Sequence, residues 1–108
     1  MECGYVGILT VDLHLPGAGS LKAKRKELLR VRNGLARRFS CAVAEVDHHD
    51  LWQRAGLTLA VVGRTAAETA QRLEDAERRL HGDEWFQVVG SSREVIAVEP
   101  EPAARWGS

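Results

Sequence analysis

The chain has 108 residues and zero formal net charge, with 44% hydrophobic and 28% charged residues. This length and composition are those of a soluble domain that builds a core without disulfides or a structural metal. No apolar run approaches the roughly 20 residues needed to span a bilayer, and the first residues lack a signal-peptide pattern. We therefore expect a cytoplasmic protein with no membrane contact, in which Cys3 and Cys41 are free thiols.

The first predicted elements are a strand, a tight turn and a long basic helix. Residues 5–13 are rich in β-branched residues and alternate in polarity, which is typical of a strand. Pro16–Gly19 breaks this pattern, and Ser20 is the expected N-cap of a helix over 21–39. Residues 20–39 hold eight basic residues and one acid, a net +7 in a neutral chain. Such a concentration of charge favours an anionic partner.

The rest of the chain predicts three strands and a second helix, namely strands at 41–46, 53–62 and 86–98 and a helix from Thr65 to Gly82. Thr65 and Glu68 form a capping box at the start of this helix. We expect a bulge or turn at 90–92 in the last strand. The second helix is expected to bury Ala66, Ala70, Leu73, Leu80 and one of Ala76 and Glu77.

The element order β-α-β-β-α-β predicts an α+β, ferredoxin-like fold, the split βαβ arrangement. Two right-handed crossovers place both helices on one face of a four-stranded antiparallel sheet in the order 4-1-3-2. Residues 1–99 form a single predicted domain, and residues 100–108 a predicted disordered tail. The sheet face away from the helices is fairly apolar, which suits a homodimer.

This topology brings all four histidines to one end of the sheet, the upper end, where the first strand ends. Loops at one end of a rigid sheet often carry binding sites. The candidate residues there, called the upper-end cluster, are His14, Asp47, His48, Trp52 and Arg54. Arg54 could pair with Asp47 or Asp50.

The basic side chains of the first helix divide into two sets at 100° per residue. Lys22, Lys26, Arg30 and Arg37 lie opposite the apolar stripe. Lys24, Arg25 and Arg32 lie close to that stripe, so each must pair with an acid, extend to water or touch a ligand. The candidate acids are Glu45, Asp47 and Glu84, and pairing is the favoured outcome.

Other chemistries at the upper end receive less support from the sequence. The glycine turn before the first helix could bind an anion. A metal site at 47–50 is disfavoured because adjacent His48 and His49 point in opposite directions along a strand. A catalytic set of Asp12, His14 and Ser20 is disfavoured because Ser20 already serves as an N-cap. We expect no cofactor and no bound metal, and a binding module rather than an enzyme.

Two segments, 14–25 and 43–55, resemble the YlxP-like family of small bacterial proteins. That family has a ferredoxin-like fold and is often encoded beside translation and ribosome-maturation factors. The resemblance covers about residues 4–99, implies the same fold here and transfers no catalytic residue. The matching positions are Leu15, Pro16, Ser20, Leu21, Lys22, Lys24, Arg25, Glu45, Asp47, Trp52, Gln53 and Arg54.

The leading functional expectation is a non-catalytic module that contacts RNA or a ribosomal particle through the basic helix. Phosphate contacts would dominate, since neither an RNP1-like aromatic motif nor a KH-type Gly-x-x-Gly loop is present. The alternative is a sensor of an anion, a phosphometabolite or a metal, dimeric through the open sheet face. An enzyme using His14, Arg25, Asp47 and His48 ranks third. The residues expected to bind the anion or RNA are Lys22, Lys24, Arg25, Lys26, Arg30 and Arg37.

Overall fold

The computed structural model describes residues 2–100, so most of the predicted tail at 100–108 lies outside the described residues. The elements are β1 (Tyr5–His14), α1 (Leu21–Phe39), β2 (Ala42–Asp47), β3 (Arg54–Gly63), α2 (Ala66–His81) and β4 (Gln87–Ala97). All strand pairs are antiparallel, in the order β2-β3-β1-β4, and both helices pack on one face. The predicted ferredoxin-like fold is confirmed.

Side-chain caps fix where both helices begin. The Ser20 hydroxyl accepts a hydrogen bond from the Ala23 N–H at 3.0 Å, and the Thr65 hydroxyl accepts one from Glu68 at 3.1 Å. Each bond satisfies a backbone donor that has no partner within its helix. Neither helix of the described range is long and apolar enough to cross a membrane.

The alternation of β1 divides the sheet into a buried face and an open face. Leu9, Val11 and Leu13 are buried beneath the helices. Thr10 and Asp12 point to the other side and are only partly covered. The helices complete the core with Leu28, Val31, Leu35, Leu73, Ala76 and Leu80.

The predicted buried face of α2 is wrong in its first half. Ala66 and Ala70 are exposed, whereas Thr69 is fully buried. Thr69 is tolerated there because its hydroxyl donates to the Thr65 carbonyl at 2.7 Å. The glycine Gly63 lies directly beneath it and lets α2 approach the sheet closely.

The predicted interruption of the last strand at 90–92 is also misplaced, since β4 continues through those residues. The irregularity lies one position earlier: Asp12 pairs with Gly90 and Leu13 pairs with Val88. Val89 is therefore the extra residue of a β-bulge.

Candidate functional site

Lys24, one of the cations predicted near the apolar stripe, is a buried residue that joins α1 to the β2–β3 loop. Its side chain is 1% exposed, and its Nζ lies 2.9 Å from Glu45 Oε2. The same ammonium donates to the carbonyls of His48 at 2.6 Å and His49 at 3.4 Å. Two backbone carbonyls thus accept hydrogen bonds from the ammonium, and the Glu45 carboxylate balances its charge. Pairing with Glu45, one of the candidate acids, is confirmed.

Arg25 and Arg32 differ from Lys24 and from each other. Arg32 is half-buried and donates to the Val43 carbonyl at 3.4 Å. Arg25 is exposed and forms no ion pair within residues 2–100, so the pairing favoured for it is wrong. A side chain at the border of an apolar stripe extends to water when its stem is long enough.

Four other cations of α1 form an exposed line, the basic ridge, made of Lys22, Lys26, Arg30 and Arg37. Arg30 is largely neutralised, because its Nη2 lies 3.0 Å from Asp83 and its Nε lies 2.9 Å from Glu27. Burial opposes the charged form of Arg30, but these two acids outweigh it and raise its pKa. Across residues 2–100, none of the other three ridge cations takes part in an ion pair, and neither does Arg25.

A groove of about 260 Å³ runs between the basic ridge and α2. Arg30 lines one wall and Arg79 the other, over a floor of Leu35 and Leu80. Gly34 also borders this groove, and outside its own stretch of helix no atom lies within 4 Å of where its Cβ would be. The packing of α1 therefore does not require glycine at this position.

We expect Gly34→Ala to raise the free energy of unfolding by about 0.5–1 kcal/mol. Alanine restricts the unfolded chain more than glycine does and favours the helix, and the added methyl meets no neighbour. The midpoint of urea denaturation measures the gain. A loss of stability would contradict the open space above Gly34.

The upper-end cluster forms around an ion pair that the sequence did not identify. Arg54 Nη2 lies 2.5 Å from Asp12 Oδ2, so the expected pairing of Arg54 with Asp47 or Asp50 is wrong. The register pairs Arg54 with His14, which makes Asp12 its diagonal neighbour on the same face. This diagonal relation is a contact that long side chains can make, and the strand alignment could have revealed it.

His48 completes this cluster on the open face of the sheet. Its Nε2 lies 3.7 Å from Asp12 Oδ1 and 3.7 Å from Asp47 Oδ2, and its backbone is left-handed, with φ of 62°. Asp12, Asp47 and His48 line a shallow depression of about 470 Å³. His14 is on the same face, opposite Arg54 in the register. Trp52 lies apart from the depression and lines a separate, open surface at 50–54.

Two exposed tryptophans stand near the start of α1. Trp85 lies beside Gly17, since a Cβ added to this glycine would be 3.7 Å from Trp85 Cζ3. Gln53 donates to the Pro16 carbonyl at 3.2 Å, which ties the Trp52 loop to the same turn. Trp52 and Trp85 are each about half exposed. Phe86, between Trp85 and β4, is buried in the core.

The described residues offer few groups that could bind a metal or react as a thiolate. Between residues 2 and 100, no three His, Cys, Asp or Glu side chains converge in a way that could hold a metal ion. Both cysteines are free thiols. Burial raises the pKa of Cys41, which keeps this thiol protonated despite the nearby Arg72.

The sequence of this chain matches the profile of a family described as "Protein of unknown function (DUF503)" over residues 6–93. The chain belongs to this DUF503 family. It is also 28% identical over 91 residues to the uncharacterized protein YlxP of Bacillus subtilis strain 168, an alignment that covers 75% of this chain and 99% of that protein. The resemblance to the YlxP-like family is confirmed.

Two solved structures are similar to this DUF503 chain at low sequence identity. One, described as the structural-genomics protein YJCS, is 11% identical with a TM-score of 0.49, and the match covers 82% of this chain and 96% of that one. The other is a dimeric ferredoxin-like protein from an uncultured marine organism, 14% identical with a TM-score of 0.47, covering 93% and 91%. Both scores are too low to bear on function or assembly.

Proposed function

We propose that this protein binds structured RNA, such as that of a ribosomal particle, through the basic ridge and Arg25. The observation that carries the proposal is that most of these cations lack an acidic partner. Lys22, Arg25, Lys26 and Arg37 are exposed and have no acid partner in the described part of the chain. Free cations in a line along one helix are suited to successive phosphates of a nucleic-acid backbone.

The helix dipole adds to the positive potential at the start of α1. The first turn of a helix normally favours acids, because its free N–H groups carry partial positive charge. The first turn of α1 contains no acid and instead contains Lys22 and Lys24. This arrangement costs stability in the free protein, and an anionic partner bound there would offset that cost.

The tryptophans near the same turn favour RNA over a small anion. Exposed aromatic rings stack on unpaired bases, and each stacked base contributes about 1–3 kcal/mol. Trp85 lies beside Gly17, three residues before the N-cap Ser20. A ligand that spans the ridge and this ring must be extended, as an RNA strand is.

Two of the cations expected to bind RNA have a smaller part in this proposal. Lys24 is buried and already held by two carbonyls and the Glu45 carboxylate, so it has no surface to offer a phosphate. Arg30 is held by Glu27 and Asp83 and can contact RNA only by exchanging these partners.

Lys26→Glu is expected to weaken RNA binding about 5- to 10-fold and to reduce the slope of log K against log salt by about 1. The matched control is Arg64→Glu, which makes the same charge change at an exposed position at the opposite end of the sheet. Fluorescence anisotropy with a labelled fragment of ribosomal RNA, at several salt concentrations, measures both quantities.

Equal losses in the two variants would indicate a response to net charge alone and would contradict a specific ridge. Unchanged affinity in Lys26→Glu would contradict the proposal directly. Trp85→Ala tests stacking separately from charge. The affinity for RNA should fall because the stacking contribution is lost, while the slope of log K against log salt stays the same.

A further inference from the structure

One face of the sheet, the open face, is covered by no helix and no other described element. One face of β1 and β3 packs against α1 and α2, while the other carries half-exposed side chains on the two central strands. An antiparallel sheet commonly leaves one face in water, but that face is then polar, and an exposed apolar patch instead marks an interaction site.

At the lower end of this face, opposite the upper-end cluster, apolar side chains are grouped. Val62 is 69% exposed and Ile96 is 42% exposed, although both are large and apolar. The register places Val6 directly between them, and Ile8 and Ala60 form the next row. We call Val6, Ile8, Ala60, Val62 and Ile96 the lower apolar patch.

We infer that a second copy of this chain covers the open face, sheet against sheet. The size of the face is suitable: strands of 10, 6, 10 and 11 residues, at about 3.3 Å by about 4.8 Å per residue, give roughly 600 Å² per copy. Two copies would bury about 1,200 Å² in total, which reaches the lower limit of stable specific interfaces.

The polar groups in the middle of the face are compatible with being covered. The hydroxyls of Thr10 and Thr58 bond to each other at 2.9 Å. Arg54 is paired with Asp12 at the upper end of the face. Glu94, opposite Ile8, lies on the edge strand β4, from which an exposed carboxylate can extend to water at the rim of the pair. Groups that already have partners lose less when water is removed.

The uneven distribution of polarity also selects the symmetry of the pair. A two-fold axis that runs parallel to the strands places the lower apolar patch of one copy on that of the other. A two-fold axis perpendicular to the strands, in the plane between the sheets, would instead place this patch against the charged upper-end cluster of the partner. The charges of that cluster would then face apolar side chains. The pair therefore has the first arrangement, with β2 of each copy over β4 of its partner.

Sedimentation equilibrium of the purified protein tests this inference. We expect a dimer, and we expect Val62→Glu to weaken self-association about 100-fold, because each dimer would bury two glutamates close together. Ile96→Glu should have the same effect. Both side chains are exposed in the single chain, so the circular dichroism spectrum and melting temperature should stay close to those of wild type.

Leu29→Glu is the matched control, since Leu29 is 56% exposed on α1, on the other side of the molecule. This variant should remain dimeric. A monomeric wild-type protein would overturn the inference and leave the face to a different partner. A dimer that survives both Val62→Glu and Ile96→Glu would overturn it as well, and neither result depends on whether RNA binds.

Discussion

Replacing Lys24 by alanine is expected to lower the free energy of unfolding by about 3–5 kcal/mol, the usual cost of removing one partner of a buried ion pair. The substitution leaves the Glu45 carboxylate without its cation in a site that is mostly shielded from water. It also removes the donor from the carbonyls of His48 and His49 and opens a cavity beneath α1. Urea denaturation followed by circular dichroism measures the loss.

Variants at two other positions separate the contributions to this loss. Lys22→Ala removes an exposed lysine from the same helix and should change stability by no more than about 0.5 kcal/mol. Combining Lys24→Met with Glu45→Gln removes both charges and should recover part of the loss, while the two carbonyls still lack a donor. A Lys24→Ala protein as stable as Lys22→Ala would show that the buried pair contributes nothing.

Gly63→Ala is the second large effect, with an expected loss of about 2–3 kcal/mol from overpacking. A Cβ at this position would lie 2.2 Å from Thr69 Oγ1 and 3.3 Å from Thr69 Cβ, far inside van der Waals contact. Thr69 cannot rotate away without breaking its bond to the Thr65 carbonyl, so the first turn of α2 must move off the sheet. Thermal and urea unfolding of the variant measure this cost.

The control for this substitution is Gly90→Ala in β4. A Cβ there would lie 3.7 Å from Asp12 Cβ, an ordinary contact, so we expect little change or a small gain in stability. Adding Thr69→Ala to Gly63→Ala removes the closest clashing atom and should recover part of the loss. If the double variant is no more stable than Gly63→Ala alone, the clash with Thr69 is not the cause.

The fold was predictable because its signals are local in the sequence. Ser20 and Thr65 each accept a hydrogen bond from an N–H three residues ahead, and the alternation at 5–13 directly gives the two faces of β1. The first and last residues of α1 follow from the N-cap Ser20 and from the length of the apolar stripe. Each of these features depends on neighbours within a few positions, where spacing alone determines which groups meet.

The candidate site was less predictable because its contacts join residues that are distant in sequence. The angle of Lys24 on its helix indicated that it needed a partner, but the carbonyls of His48 and His49 depend on the path of a loop that spacing does not define. Arg54 pairs with Asp12 because the register of β1 and β3 makes them diagonal neighbours, and the sequence does not state this register directly. Thr69 is buried in place of Ala66 and Ala70, because Gly63 on the facing strand β3 has no side chain and leaves room for it.

The pairing of β1 with β4 has a consequence for how the chain folds during synthesis. Tyr5 lies opposite Ala97. The pairing of β1 with β4 can therefore form only after nearly the whole described chain has been synthesised. Until then β1 has an unpaired edge and can form only its pairing with β3. Contacts this distant in sequence slow folding, and we expect a chain that ends before β4 to be prone to aggregation rather than partly native.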